Sequence, residues 1–102
     1  MSHLPQRWVG IVLRAVRRHY PSGRIAAWGS VVDRGVADAR TAGDRLELVF
    51  LEPRDPDPAV VQEIRRALEC SDLPVDTDLR VLNDLTMAEQ EDVLQRGEQF
   101  GG

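Results

Sequence analysis

Apolar and polar residues recur along this chain with two different periods, and the periods mark out its elements. Between residues 6 and 20 the positions Trp8, Ile11, Val12, Ala15 and His19 follow one another at spacings of three and four, with arginines on the opposite side. That is the stripe of an amphipathic helix. Pro5 suits its first turn and Pro21-Ser22-Gly23 its stop. A short apolar run ending at Trp28 then meets Gly29-Ser30, a polar connector reaches Gly43, and Arg45 to Leu51 alternates with period two. The pattern predicts a strand from about Arg24 to Trp28, a glycine turn, a loop and a second strand. The second strand places Leu46, Leu48 and Phe50 on one face and Arg45, Glu47 and Val49 on the other.

Three prolines in Glu52 to Pro58 exclude both pairing and coiling, so this stretch is an exposed connector. Asp57-Pro58 offers an N-cap with proline at the first helical position. The helix that follows runs to about Cys70 and buries Val60 or Val61, Ile64, Ala67 and Leu68. Val75 to Leu82 alternates again and predicts a third strand, with Asp76, Asp78 and Arg80 opposite Val75, Thr77, Leu79 and Val81. Thr86-x-x-Glu89 is a capping box, and it opens a last helix that carries Val93 and Leu94 and stops at Gly97. Glu98 to Gly102 reads as a loosely held tail. The predicted fold class is α/β or α+β, a small mixed three-stranded sheet with helices packed on it.

At 102 residues the chain forms one domain, residues 1–102, with a single modest core. No apolar run approaches twenty residues and no signal-peptide pattern opens the chain, which together place it in the cytoplasm without a membrane span. One cysteine, Cys70, rules out an internal disulfide, and with His3 and His19 far apart it makes no zinc spacing. Cys70 reads as a small buried or half-buried helix residue. All thirteen basic residues are arginine, so a phosphate-loop lysine and a Schiff-base lysine are both excluded. Five of those arginines and no acid lie in the first 24 residues, and the remainder holds eight arginines against seventeen acids. A net charge of -4 argues against general nucleic-acid binding, whose affinity rests on many cations neutralising phosphates. The basic first helix suits an acidic partner or, more simply, a solvated surface.

Gly29-Ser30 at the end of a strand leaves backbone N–H groups and a hydroxyl free to face an anion, phosphate above all. With this turn in place, the order of the remaining motifs resembles the minimal nucleotidyltransferase family of the DNA polymerase beta-like superfamily. The resemblance rests on Trp28-Gly29-Ser30, Arg34-Gly35, the strand Arg45 to Phe50, Leu73 to Leu79, and Asn83-Asp84-Leu85, and it extends to the closing segment Val93 to Gly97. It implies a nucleotide cradle at Gly29, Ser30 and Arg34. It also implies Mg2+ and a nucleoside triphosphate as cofactors, held by carboxylates two apart on one strand and a third on a later strand.

The chain departs from that family's pattern at its acidic strand. Glu47 falls on the second acidic position and Asp78 on the third, making these two the candidate catalytic and metal-binding residues. Arg45 stands where the first aspartate belongs. A guanidinium cannot ligate a metal and would pair more naturally with Glu47 or Asp78. Asp44 is the remaining candidate ligand, but three residues from Glu47 it reaches the same face only through a bulge. Asp33 also lengthens the Gly-Ser loop by about one residue relative to the family pattern.

The resemblance therefore implies a degenerate member that keeps the fold, has reduced or lost transfer, and binds or regulates. By family habit its partner is a HEPN-domain or other protein, as in toxin–antitoxin pairs, or a second copy in a homodimer. Two alternatives stand beside it. One is an active transferase that moves a nucleoside monophosphate to a protein or small-molecule hydroxyl. The other is an unrelated α/β interaction domain, in which Gly29-Ser30 is only a turn, Glu47 and Asp78 are ion-pair residues, and Arg34 is a loop arginine.

Overall fold

The structure, a computed structural model of the chain, describes residues 4–28, 45–73 and 75–101. Helix α1 (Gln6–Arg17) buries Trp8, Val12 and Ala15 of the predicted stripe and Val16 beside it, while Ile11 is half-buried. It ends before His19, which is exposed in the following turn with Nε2 3.2 Å from Glu63 Oε2. Helix α2 (Pro58–Glu69) starts as its sequence requires, because the Asp57 carboxylate accepts from the Ala59 N–H at 2.9 Å and Pro58 has no N–H to orphan. It buries Val61, Ile64 and Leu68. Cys70 is the exposed cap residue at its C-terminal end rather than a buried helix residue. Helix α3 (Met87–Arg96) opens with the predicted capping box. Thr86 Oγ1 accepts from the Glu89 N–H at 3.2 Å, and the Glu89 carboxylate accepts from the Thr86 N–H at 3.0 Å.

Among the described residues the sheet has four strands rather than three: β1 (Arg24–Trp28), β2 (Arg45–Glu52), β3 (Asp76–Val81) and β4 (Glu98–Gly101). Their order is β3-β2-β1-β4, with β1 antiparallel to β2 and β4, and β2 parallel to β3. The residues expected to form a loose tail thus complete the sheet. Phe100 pairs with Ile25 and packs against the core, while Arg24 donates to Gln99 at 2.8 Å and lies 3.5 Å from Glu52. One arginine thereby ties β1 to both neighbours. Two glycines make the return possible. A Cβ on Gly97 would collide with the Val93 carbonyl as the end of α3 closes on Ala26, and Gly101 sits at φ +98°, a backbone conformation that side chains disfavour.

Side chains on the two faces of the sheet build two cores. On the first face Ile25, Ala27, Leu46, Leu48, Phe50 and Leu79 pack beneath α1 and α2. The Phe50 ring meets the Tyr20 edge, with centroids 5.7 Å apart at 78°. On the second face Ala26, Val49, Leu51, Leu82, Leu85 and Val93 form a smaller cluster under α3 and the 3₁₀ turn Leu82–Asp84. Val49, expected on the polar side of β2, is fully buried there. The second face is therefore covered at one end and polar at the other, where β2 begins. Among the described residues no helix is long and apolar enough to cross a membrane.

Candidate functional site

At the polar end of the second face, the strand register lines up three side chains. Trp28, the last residue of β1, is the partner of Glu47 across the antiparallel pair, and Glu47 is the partner of Asp78 across the parallel pair. Partners in register share a face, and neighbouring strands lie about 4.8 Å apart. Glu47 and Asp78 are thus adjacent and both partly exposed. The two sequence-predicted acids do come together.

Two arginines share this face. Arg45, one step back along β2, is the register partner of Asp76, and Arg80, one step forward along β3, is the partner of Val49. The cation that reaches an acid is Arg80, with Nε 3.3 Å from Asp78 Oδ2. Arg45 is exposed and makes no ion pair within the described residues, so the expected pairing of Arg45 with Glu47 or Asp78 is not formed. The reason is local. Arg80 stands two residues beyond Asp78 on the same strand and the same face, while Arg45 faces the recess of about 440 Å³ lined by Asp76, Glu69 and Thr77.

α3 completes the site's wall. The Trp28 Nε1–H donates to Asp92 Oδ2 at 2.6 Å, and Asp92 Oδ1 lies 3.3 Å from Arg96 Nε. This latch has no counterpart in the sequence pattern, where Trp28 ends an apolar run and leads into Gly29-Ser30. The alternation Asp78-x-Arg80 was a signal for the ion pair, since residues two apart on a strand face the same way. At the helix N-terminus, the Thr86 backbone N–H holds the Glu89 carboxyl below its usual range.

Gly29, Ser30, Arg34 and Asp44 lie outside the described residues, as does any bulge that would bring Asp44 inward. Among the described residues no three of His, Cys, Asp and Glu converge as a metal-binding group. Along this face the described charges are the carboxylates of Glu47, Asp76 and Asp78 and the guanidiniums of Arg45 and Arg80, a formal balance of -1. Among the described residues Glu47 and Asp78 are the adjacent carboxylates of the row, and Asp78 is paired with Arg80, which leaves fewer oxygen ligands than a pair of divalent cations takes.

No protein-family model matches the sequence, and no curated protein matches it. Solved structures do match the fold. A crystal structure of a toxin–antitoxin MntA–HepT variant, with two aspartates replaced by glutamate, superposes over 97% of this chain and 75% of its own, with a TM-score of 0.68 at 21% identity. The fold is nucleotidyltransferase-like. A toxin–antitoxin structure with AMP-PNP gives a TM-score of 0.68 at 20% identity over 91% of this chain and 73% of the other. A further MntA–HepT structure gives 0.60 at 17% identity, over 96% and 74%.

Proposed function

We propose that this chain is a nucleotidyltransferase-fold binding protein with an incomplete metal site, reduced or lost in transfer activity, that acts as the antitoxin-like member of a protein pair. The observation that carries the reading is the charge row on the second face. Glu47 and Asp78 stand side by side and Arg80 already pairs with Asp78, while Arg45 falls where the family resemblance would put the first acid. Support for the pairing comes from the similar structures, which are toxin–antitoxin assemblies, and support for a nucleotide site comes from the one with AMP-PNP. In one of them the two substituted aspartates are two residues apart, the same spacing as Arg45 and Glu47 in this chain. The partner in this reading is a HEPN-type or other protein, and a homodimer is its simplest variant.

A second reading keeps catalysis. The adjacency of Glu47 and Asp78 favours it, with Asp44 as the third carboxylate and Gly29, Ser30 and Arg34 as the triphosphate cradle. One experiment separates the two. ATP and Mg2+ are titrated into the protein and into an Arg45→Asp variant while amide resonances are followed. The proposal expects metal-independent shifts, or none, at Trp28 and Glu47 in the natural chain, and saturable Mg2+-dependent shifts in the variant. Mg2+-dependent saturation in the natural chain, followed by transfer of label from ATP to a protein, would establish the second reading instead.

A further inference from the structure

Helix α1 places three of its arginines on one line. At about 100° per residue, Arg7, Arg14 and Arg18 fall within about 40° of one another around the axis, and Arg18 keeps helical backbone angles as the cap residue. None of the three has an ion pair or a side-chain hydrogen bond among the described residues. Helix electrostatics account for only part of this. Arginine in the last turn complements the macrodipole, but Arg7 lies in the first turn, where a cation is disfavoured, and Arg14 and Arg18 are a like-charge pair four residues apart. The first turn carries no acid to offset either effect.

Beside this line runs a groove of about 360 Å³ between α1 and the end of α2. Ile11, Ala15 and Ala67 form its apolar floor, Arg14 and Arg18 its wall on the α1 side, and Asp72 is the single acid on its rim. Ile11 sits at the border between the buried stripe and the arginine line and is only half-buried. The groove lies on the outer side of the first helical layer, across the sheet from Glu47 and Asp78. Apolar floor and cationic wall together describe the complement of an acidic amphipathic segment.

We infer that the α1–α2 groove is a docking surface for an acidic amphipathic segment of a protein partner. Its carboxylates meet Arg7, Arg14 and Arg18, and an apolar side chain rests over Ile11 and Ala15. The inference deepens the functional reading above and rests on it for the existence of a partner. Charge complementarity decides the occupant. The rest of this chain is strongly acidic, so an acidic segment is drawn to the arginine line and repelled elsewhere, which fixes its register.

The test uses the full chain and a synthetic helical peptide with leucine at every third or fourth position and glutamate elsewhere, beside a twin in which glutamine replaces glutamate. Binding is read by fluorescence anisotropy of the labelled peptide, and also by the alkylation rate of Cys70, the sole cysteine, which lies in the groove. The acidic peptide should bind, slow the alkylation of Cys70 and weaken with salt, while the glutamine twin should bind at least about tenfold more weakly. The double variant Arg14→Glu with Arg18→Glu should weaken binding by about tenfold or more, and Arg17→Glu, whose side chain projects about 60° or more away from the line, by less than about twofold. Both variants alter exposed positions, and circular dichroism checks that they fold.

No binding, equal binding of the two peptides, or no difference between the double variant and Arg17→Glu would overturn the inference. Preference for a single-stranded oligonucleotide over the acidic peptide would overturn it in favour of nucleic acid. Nucleotide-induced shifts at Trp28 and Glu47 are read separately, so failure of the groove and failure of the nucleotide-site reading are distinguishable.

Discussion

Replacing Trp28 by Phe should loosen α3 from the sheet by a calculable amount. Val93 is the only fully buried residue of that helix, so the bond from Trp28 Nε1 to Asp92 at 2.6 Å carries an unusual share of its attachment. A hydrogen bond to a charged acceptor contributes about 1.5–3 kcal/mol when well shielded. The Asp92 side chain is 39% exposed, which puts the expectation at or just below the bottom of that range, about 1–1.5 kcal/mol. Trp28→Phe also removes ring area, and Asp92→Ala also removes the exposed pair with Arg96, worth about 0.3–0.5 kcal/mol. A double-mutant cycle cancels both side effects. Urea unfolding of the four proteins, followed by far-ultraviolet circular dichroism, should therefore give a coupling of about 1–1.5 kcal/mol. In a domain of this size that corresponds to a Tm difference of roughly 4–12 °C. A coupling below about 0.5 kcal/mol is the size of ordinary non-additivity and would refute the latch, because water would then serve the indole N–H equally well.

Other perturbations reach the core, the fourth strand and the acid limb. Phe50→Ala, at a fully buried position against Tyr20, should cost about 3–5 kcal/mol in a urea melt, and a loss under about 1 kcal/mol would mean that the first core is not packed around this ring. Gly101→Ala should destabilise by more than about 1 kcal/mol, since its Cβ would lie 2.5 Å from the Gly23 carbonyl at a positive φ, and an unchanged melt would show that β4 is not held there. Glu89 has a native pKa below its ordinary 4.5, chiefly through the Thr86 N–H, so its contribution is present above that value and is lost as pH falls through the lower native value. Glu89→Gln should remove that part of the acid dependence, and an acid limb identical to that of the parent would contradict the capping-box origin.

Local chemistry made much of this fold legible. Asp57-Pro58 and Thr86-x-x-Glu89 name helix starts because each satisfies orphan N–H groups with its own side chain, and both operate as the residues dictate. Alternation along β2 exposed its core face because the first face is buried throughout its length. The pattern failed where burial was decided from afar. Val49 looked solvent-facing, since nothing near it in sequence announces that α3 will fold over the second face. Glu98 to Gly101 looked loose because four residues with one aromatic have no strand signature of their own, and they become a strand only through pairing with β1 some 70 residues earlier in the chain.

The candidate site was legible to the same degree. The adjacency of Glu47 and Asp78 followed from alternation in two strands once those strands were taken as neighbours. The partner of Asp78 did not, because the reading looked across strands to Arg45 when the nearer cation, Arg80, lay along the same strand. Trp28 and Asp92 are 64 residues apart, and no local rule links an indole at a strand end to a carboxylate on a helix.

Arg65 has a consequence for how the sheet can grow. From α2 it donates through Nε and Nη2 to the Leu79 carbonyl at 3.1 and 2.8 Å, on β3, a strand with a neighbour on one side only. An incoming strand would find that acceptor taken and a guanidinium in its path. At the opposite border β4 offers only four residues. Among the described residues neither border of the sheet is a long, bare strand on which a ribbon of copies could be templated, and that protection would matter most at the high local concentrations of synthesis.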